Sequence, residues 1–551
     1  MTARSTIFKF PVKAKSTLLL LTAAGLSFPA TYYSNLLPFS DDSPLFPNKI
    51  RFAIEGIVRS SRAVSTITLV LADYKYSLYG LPLDSKDYPL VLSQVHLRSA
   101  KRMLNLCEKN RGFYAKAGQF VAGLHKVPKE YSSTLSSLQD QAVPCDFKVI
   151  KEALVRNLGQ DLSEIFLSFG EQPIAAASIA QVHHGILKNH QEVAVKVQYP
   201  RLEQKMKLDT TVMSLLSKSV AWFFPEYRFG WLVSEFAETI SLELDFIQEA
   251  KNSEKTADNF KNNKLVRVPH VFWDLTTKQV LTMQFCRGKK VDDVESLKEM
   301  KISPVKVAKA LVEVFAEMIF IHGFLHGDPH PGNVLVSKEG QDGFSLVLLD
   351  HGFYKKLDEG FRLDYCRLWK ALIILDSNSI QHLGERFGVG KFSRHFPVIF
   401  TGRTIDSKSS PRKELSVEER KKLKHELKSL KMEDISSFME SLPRDFLTIL
   451  KTDGILRSHI RKLGAPQRVQ LEAYAKYAIY GLCPKLDPES GCALTVAYSR
   501  LIANISYLHL RLVLEALELL SWLRKFKQSV RSFYGKIRGA VEGLLAFTFV
   551  P

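Results

Sequence analysis

One stretch of the chain places two carboxylates and an amide in an order that strongly restricts the possible folds. The run His326–Asn333 contains Asp328 and ends in an amide, and Asp350 follows seventeen residues later, in the triplet Asp-His-Gly. Mg²⁺ prefers hard oxygen ligands and binds through one or two carboxylates together with phosphate oxygens. The pattern predicts a metal and nucleotide site in which Asn333 and Asp350 ligate the metal and Asp328 faces the acceptor.

The residues around this run support that interpretation against a simpler one. Asp, Asn, Pro and Gly are also the ordinary residues of turns, so either segment alone would suit a plain turn. Apolar residues at helical spacing over 307–322 predict a helix that leads into the run, and the apolar segment 345–349 predicts a strand before Asp350. Because a predicted helix precedes the first segment and a predicted strand precedes the second, a functional site is favoured over two plain turns.

A second group of candidate residues lies upstream. Residues 192–198 alternate as a strand does, with valines on one face and Lys196 on the other. A lysine close to phosphates usually needs a helix glutamate to orient it. Glu249 is the first candidate, with Glu243 and Asp245 expected nearby on the same helix. The alternative is that these acids are solvated helix residues.

Several further motifs make the pattern specific. They are Lys116-Ala117-Gly118-Gln119, the alanine-rich segment 173–183, Val193-Ala194-Val195-Lys196, Glu243-Leu244-Asp245, the loop 327–333 and the triplet 350–352. Together they resemble the UbiB-like, aarF-domain-containing atypical kinases over about residues 97–375. The N-terminal organisation and residues 450–457 are similar to the mitochondrial animal and fungal branch of that family.

The resemblance implies an α+β, protein-kinase-like bilobal fold with an added N-terminal helical extension over the cleft. It also implies ATP and Mg²⁺ as cofactors, membrane association, and a role in quinone or lipid homeostasis. Lys196, with Glu249 to orient it, and Asp328 are the expected catalytic residues. The expected cofactor contacts are Ala175, Ala176, Ala177, Ser178, Lys196, Met283, Phe285, Lys116 and Gln119.

Three features differ from an ordinary protein kinase. Each residue of 175–178 carries a β-carbon where kinases use glycine to let the backbone approach phosphate. Gly327 stands where a typical catalytic loop has arginine, and no Ala-Pro-Glu triplet follows Asp350. On its helix Gly118 permits close approach of another element. We expect restricted access for peptides, and therefore an ATPase or a kinase of a small molecule or lipid.

Two other functions remain open at this point. A cleft that binds nucleotide without turnover would make the protein a scaffold or a lipid-binding regulator. A transition-metal site could instead use His322, His326, Asp328 and His330, because histidines four residues apart on a helix can chelate. Glycine and two prolines in this segment break the helical geometry around the later ligands, which disfavours a metal site.

Composition restricts the partners. The formal net charge of +19 and the pI of about 9.4 suit nucleic acid, anionic lipid or a mitochondrial interior. No nucleic-acid motif is present, so nucleic acid is not an expected partner. Six scattered cysteines without a Cys-x-x-Cys spacing predict neither a disulfide framework nor a zinc site.

The N-terminal forty residues are typical of a mitochondrial targeting segment. They contain lysine, arginine, serine and threonine, and the first acid is Asp41. The apolar run 18–33, extended to Leu37, approaches the length of a membrane anchor. A secretory signal peptide is the alternative. We expect the mitochondrion, with the inner membrane as the site of action.

Shifts in composition divide the chain into five parts. They are the targeting segment 1–40, the helical extension 51–147, the small lobe 148–290, the large lobe 291–490 and the helical tail 491–551. Residues 41–50 form a linker, and 412–434 are a mixed-charge run. The apolar stripe in 496–526 is interrupted by Glu515 and Glu518, which favours a packed helix over a membrane span.

Overall fold

The computed structural model describes residues 46–82, 84–122, 127–139, 144–223, 230–338, 343–401, 441–466, 468–483, 497–499 and 501–513, and a few isolated residues and pairs from there to 534. The predicted targeting segment and the mixed-charge run at 412–434 lie outside the described residues. Among the described helices, none combines the length and the hydropathy that a membrane span requires. No disulfide joins the cysteines of that part.

The chain divides into two compact units, and the first contains the residues up to Lys261 together with 268–287 and 348–353. It begins with the helical extension, whose helices are Phe46–Ser77, Tyr88–Asn110, Phe113–Ala122 and Lys129–Leu135. Apolar side chains of this extension, such as Leu106 and Phe113, share one buried cluster with residues of later helices. Burial of that cluster holds the extension to the rest of its unit.

An antiparallel sheet lies at the centre of the first unit. Its strands are Phe166–Phe169, Ala175–Ala176, Ala180–Leu187, Glu192–Gln198 and Val280–Gln284. The predicted alternation is present in the strand Glu192–Gln198, hereafter the lysine strand. Its three valines are fully buried in a cluster that includes residues of the helix Phe147–Leu158, because successive side chains of a strand point to opposite faces. Lys196 is thereby directed to the other face.

The acidic residues expected on one helix belong to two. Glu243 ends the helix Gly230–Glu243, whereas Glu249 lies in the first turn of the helix Phe246–Asn259, hereafter the glutamate helix. Asp245 lies between them and caps the glutamate helix, since its carboxylate accepts from the backbone N–H groups of Ile247 and Gln248. The sequence prediction of a single helix was wrong because Asp245 is an N-cap and its backbone is extended.

The second unit contains residues 262–267, 288–347 and the chain from Tyr354 onward. One sheet has the strands Val266–Arg267, Ser345–Leu348, Val334–Ser337 and Lys289–Lys290 in that spatial order, and Phe324–His326 pairs with Tyr354–Lys356. Its described helices include Val294–Glu299, Pro304–Glu317, Glu359–Ile374, Ser377–Arg386, Arg444–Lys462 and Arg468–Gly481. The predicted helix over 307–322 is confirmed, with its last turn widened at Met318–His322.

The apolar stripe within 496–526 was predicted to pack against the rest of the protein, and this prediction is wrong for most of its residues. Ile505, Leu508 and Leu512 expose 58%, 56% and 59% of their surface, while Ala503 and Leu510 are buried. The latter two are seven residues apart, so they share one side of the helix and make its buried contacts. Periodicity identified the apolar stripe, but it could not show which side of the helix packs.

Candidate nucleotide site

The lysine strand presents its amine to two carboxylates. The Nζ of Lys196 lies 2.7 and 2.9 Å from the two carboxylate oxygens of Glu249 and 2.9 Å from Oδ2 of Asp350. The ion pair with Glu249 that the sequence predicted is confirmed. A single point charge thus joins a strand, a helix and the Asp-His-Gly triplet.

The backbone on both sides of this contact is well supported. Lys196 pairs with Val182 on one neighbouring strand and with Leu281 on the other, so the lysine strand is a central strand. Glu249 is 1% exposed and lies in the capped first turn of its helix. The Phe246 ring approaches the amine to 5.0 Å, a distance at which a cation is attracted to the face of a ring.

Burial and charge shift the titration of the three groups. Burial raises the pKa of Glu249 to about 7, with Lys196 opposing the shift and the Asp350 carboxylate adding to it. Burial would also raise the pKa of Asp350, but the charge and hydrogen bond of Lys196 hold that pKa well below its usual range. The two carboxylates likewise raise the pKa of Lys196 against the effect of burial. The amine is therefore a permanent cation.

The Asp-His-Gly triplet is attached to the glutamate helix through its backbone. The N–H of His351 donates to Glu249 at 3.3 Å, and the Asn252 amide donates to the carbonyl of His351 at 3.0 Å. Gly352 donates to Oδ1 of Asp350 at 3.0 Å, and a β-carbon there would lie only 3.3 Å from that oxygen. These contacts position the Asp350 carboxylate, which keeps 35% of its surface exposed.

The Lys-x-Gly-Gln helix contacts the same acidic region. The Nζ of Lys116 lies 3.0 Å from Glu243, an acid that the sequence analysis expected near Glu249. Gln119 donates to the carbonyl of Leu138 at 2.8 Å. A β-carbon on Gly118 would overlap the Leu138 side chain, so the predicted close approach is present. Sequence reasoning missed the pairing of Lys116 with Glu243, because no local pattern connects them.

The alanine-rich segment forms a short antiparallel hairpin with the strand that follows it. Ala175 and Ala176 pair with Val182 and Gln181, and the N–H of Ala177 donates to the carbonyl of Ala180 at 2.8 Å. Tyr199 donates its hydroxyl to the carbonyl of Ala177 at 3.1 Å. Ala175 and Ala177 are exposed and Ser178 is half-buried. In a glycine-rich loop, backbone N–H groups are available to bind phosphate. Here part of the corresponding backbone is hydrogen-bonded within the sheet instead.

Met283 and Phe285, two of the expected cofactor contacts, lie in and just after the edge strand Val280–Gln284. Met283 is buried within the strand, where it pairs with Ala194. Phe285 comes just after the strand; its N–H donates to the carbonyl of Glu192 at 3.0 Å, and its ring meets the His184 ring at 4.7 Å. Both residues belong to the first unit, as do Lys196 and Asp350.

The Asp328 loop is a feature of the second unit. The carbonyl of Asp328 accepts from the N–H of His330 at 2.7 Å and from Nδ2 of Asn333 at 3.0 Å, and Asn333 N–H donates to the carbonyl of His330 at 2.9 Å. Because a carbonyl only accepts, the NH₂ of Asn333 must face Asp328. The Oδ1 of Asn333 therefore remains as an acceptor oxygen, the type of ligand that Mg²⁺ prefers.

The histidines of the transition-metal alternative make other contacts. His322 lies 3.5 Å from Glu317, the His326 ring stacks on Tyr354 at 5.0 Å, and His330 accepts from the N–H of Gly332 at 3.3 Å. A group of three or more His, Cys, Asp or Glu side chains able to hold a metal is absent from the described residues. That alternative receives no support from the geometry.

A strand lysine paired with a buried helix glutamate, next to an acid of an Asp-x-Gly triplet, defines a protein of the kinase-like class. Residues 137–384 match the model of the ABC1 atypical kinase-like domain. The chain is 40% identical to AarF domain-containing protein kinase 1 of Xenopus laevis, over 74% of this chain and 79% of that protein. For the Mus musculus protein of that name the identity is 39%, over 74% of this chain and 78% of the relative.

The chain therefore belongs to the AarF domain-containing, ABC1 family of atypical kinase-like proteins. The family resemblance and the α+β, kinase-like fold class expected from the motifs are confirmed. Among solved structures, a Mycobacterium tuberculosis protein in complex with erythromycin aligns with a TM-score of 0.45 at 20% identity, over 73% of this chain and 100% of the other.

Proposed function

We propose that this protein binds ATP with Mg²⁺ and acts as an ATPase or as an atypical kinase of a small molecule or lipid. The observation that carries the proposal is the contact of Lys196 with both Glu249 and Asp350. A buried glutamate fixes the amine, while the second acid is partly exposed, and the two carboxylates, when both are ionised, carry more negative charge than one amine can neutralise. Such a pair can exchange partners, with phosphate taking the lysine and a cation taking the acid.

Each candidate residue then has a role. Lys196 contacts the phosphates, and Glu249 orients it. Asp350 and Asn333 supply the oxygen ligands of Mg²⁺, and Asp328 acts as a base or positions a water. The bound metal would neutralise charge on the transferring phosphoryl group. The donor set suits this ion, because Asp350 accepts one N–H at Oδ1 and one amine at Oδ2 and retains further lone pairs.

The direct test is the affinity of the purified protein for Mg²⁺-ATP with and without the Asp350 charge. We expect Asp350→Asn to weaken Mg²⁺-dependent ATP binding at least about tenfold, the loss typical of a disturbed ligand set. Asp258→Asn is a matched control, because it removes an exposed carboxylate near the C-terminal end of the glutamate helix whose ion pair, among the described residues, is with the exposed Lys261 just after that helix. Equal affinity in wild type and Asp350→Asn would overturn the metal assignment.

A nucleotide-binding scaffold or lipid-binding regulator without turnover is the second candidate. Two observations favour it: the alanine segment uses backbone groups in its own sheet, and Gly327 replaces the usual arginine. Asp328→Asn separates the two functions. Loss of ATP turnover together with loss of cellular function supports the enzyme, whereas retained cellular function supports the scaffold.

The proposed place of action is the mitochondrial inner membrane, in lipid or quinone homeostasis. The net charge of +19 favours anionic lipid, and the exposed stripe of Ile505, Leu508 and Leu512 offers apolar surface. We expect ATP turnover by the full chain to rise with vesicles containing anionic lipid and to stay unchanged with neutral vesicles. Equal turnover with both would contradict the lipid partner. Import that survives deletion of residues 1–40 would contradict the targeting segment.

A further inference from the structure

A buried histidine from a distant helix holds the backbone of the Asp328 loop. His459 lies in the helix Arg444–Lys462, is 3% exposed, and contacts the carbonyl oxygen of Pro329 through Nε2 at 2.8 Å. Since a carbonyl can only accept, Nε2 must carry a proton. Burial lowers the pKa of His459, so the ring is a neutral donor at neutral pH.

The contact falls on the Pro329–His330 peptide, whose N–H is bonded within the loop and whose carbonyl is bonded from outside it. Within the loop, the carbonyls of Asp328 and His330 accept from the His330 N–H, the Asn333 side chain and the Asn333 N–H. The carbonyl of Pro329, between them, is bonded by His459 instead. The orientation of this peptide fixes the backbone on both sides, and hence the directions of Asp328 and Asn333.

The helix that carries His459 is itself firmly anchored. Asp453, one of its buried residues, accepts from the Tyr474 hydroxyl at 2.7 Å, from Arg457 at 2.6 Å and from the amide of Gln470. Near the other end, Lys462 lies 2.6 Å from Asp292. Because these contacts fix the helix, the Nε2–H of His459 can hold the Asp328 loop in one geometry.

We propose that His459 is a positioning residue for Asp328 and Asn333. Its Nε2–H holds the Pro329 carbonyl, and without this bond the loop samples other backbone geometries. The inference rests on the proposed function only for what the loop does with ATP and Mg²⁺. The hold on the loop is a property of the protein without ligand, so it is measured separately.

The primary test is hydrogen exchange of the peptide covering 326–338 in the full-length protein without nucleotide. We expect His459→Leu to speed exchange of this peptide about tenfold and to raise the Mg²⁺ concentration for half-maximal ATP binding about tenfold. His459→Gln should restore both to near wild type, because its amide reaches the place of Nε2. His459→Asn should not, since its amide is shorter and matches Nδ1.

Ile460→Ala is the control for a purely structural effect. Ile460 is the next residue on the helix and is 2% exposed, so its truncation lowers stability without removing the hydrogen bond. We expect a lower melting temperature but unchanged loop exchange and Mg²⁺ dependence. Equal effects of Ile460→Ala and His459→Leu on the loop would overturn the positioning role.

Two further results overturn the inference. The first is a His459→Leu protein whose loop exchanges at the wild-type rate. If His459→Leu fails to fold, the second is a loop that exchanges equally fast in His459→Gln and His459→Asn. A wild-type protein that binds no ATP would contradict the proposed function alone. In that case the exchange measurements still decide whether His459 holds the loop.

Discussion

The first unit contains two buried groups of charged side chains. In one, a single base pairs with a single acid and stabilises the fold, whereas in the other a single amine meets two acids at the candidate site. Arg59 of the first extension helix donates to both oxygens of Asp209, at 3.3 Å through Nε and more closely through Nη2, and also to the carbonyl of Asn110. Asp209 is 1% exposed and has this arginine as its bidentate partner. We call this pair closed, because one base neutralises one acid and the guanidinium makes its hydrogen bonds to groups of the protein itself.

The Lys196 cluster has a different composition. One amine meets two acids, Glu249 and Asp350, and Lys116 pairs with the neighbouring Glu243. In the described part of the chain this cluster brings three acids together with two bases, and the Asp350 side chain keeps a third of its surface in contact with solvent. Burial of an ion pair is therefore no sign of function by itself. Under the proposed function, the second acid and its exposure would let this cluster exchange partners with a metal nucleotide.

The largest expected effect comes from opening the closed pair. Arg59→Met leaves Asp209 buried without its partner, and burial already raises the pKa of Asp209 to about 6. We expect the free energy of unfolding to fall by about 3–5 kcal/mol, the usual cost of an uncompensated buried charge. Chemical denaturation measures it. ATP affinity of the folded variant should equal that of wild type, and a reduced affinity would show that this pair also serves the site.

A smaller effect, several-fold in affinity, is expected from pH acting on the open cluster. Burial raises the pKa of Glu249 to about 7, so lowering the pH from 8 to 6 protonates it and loosens Lys196. ATP binding should weaken over this range in wild type and become independent of pH in Glu249→Gln. Titration calorimetry at fixed Mg²⁺ measures both. The same pH dependence in Glu249→Gln would assign the titration to another group.

Stability should respond to the same proton in the opposite direction. The folded pKa of Glu249 exceeds the unfolded value of about 4.3, so the folded state binds the proton more tightly. Its contribution to stability is complete below the unfolded pKa and is lost as the pH rises through about 7. Acidification from pH 8 to 6 should therefore strengthen folding through this group while it weakens ATP binding.

The smallest effect is expected from the partly buried pair of Lys116 and Glu243. The two side chains are 24% and 11% exposed, between the closed pair and a surface pair. Solvent screening limits such a contact to about 1 kcal/mol or less. Lys116→Met should lower the free energy of unfolding by no more than that, and Lys116→Arg should restore it. If Lys116→Met lowered the free energy of unfolding as much as Arg59→Met does, the Lys116–Glu243 pair would contribute to stability as the closed pair does.

Short-range patterns predicted the parts of the site well. Strand alternation directed Lys196 away from the valines, and the choice of Glu249 as its partner was correct. The same reasoning was wrong where a single residue changed the backbone, since Asp245 caps a new helix and separates it from Glu243. It was also wrong for Ile505 and its neighbours, because a stripe of apolar residues does not show what covers it.

The sequence by itself determined the local elements, the residue types of the site and the family, because helical and strand periodicity and motif spacing act over a few residues. Tertiary structure decided which distant groups meet. Lys196 and Asp350 are 154 positions apart, and His459 and Pro329 are 130 apart. Lys116 and Glu243 are likewise joined across several elements. Such contacts depend on how whole helices and strands pack, and the free energy of packing is shared by many side chains rather than encoded in any short segment.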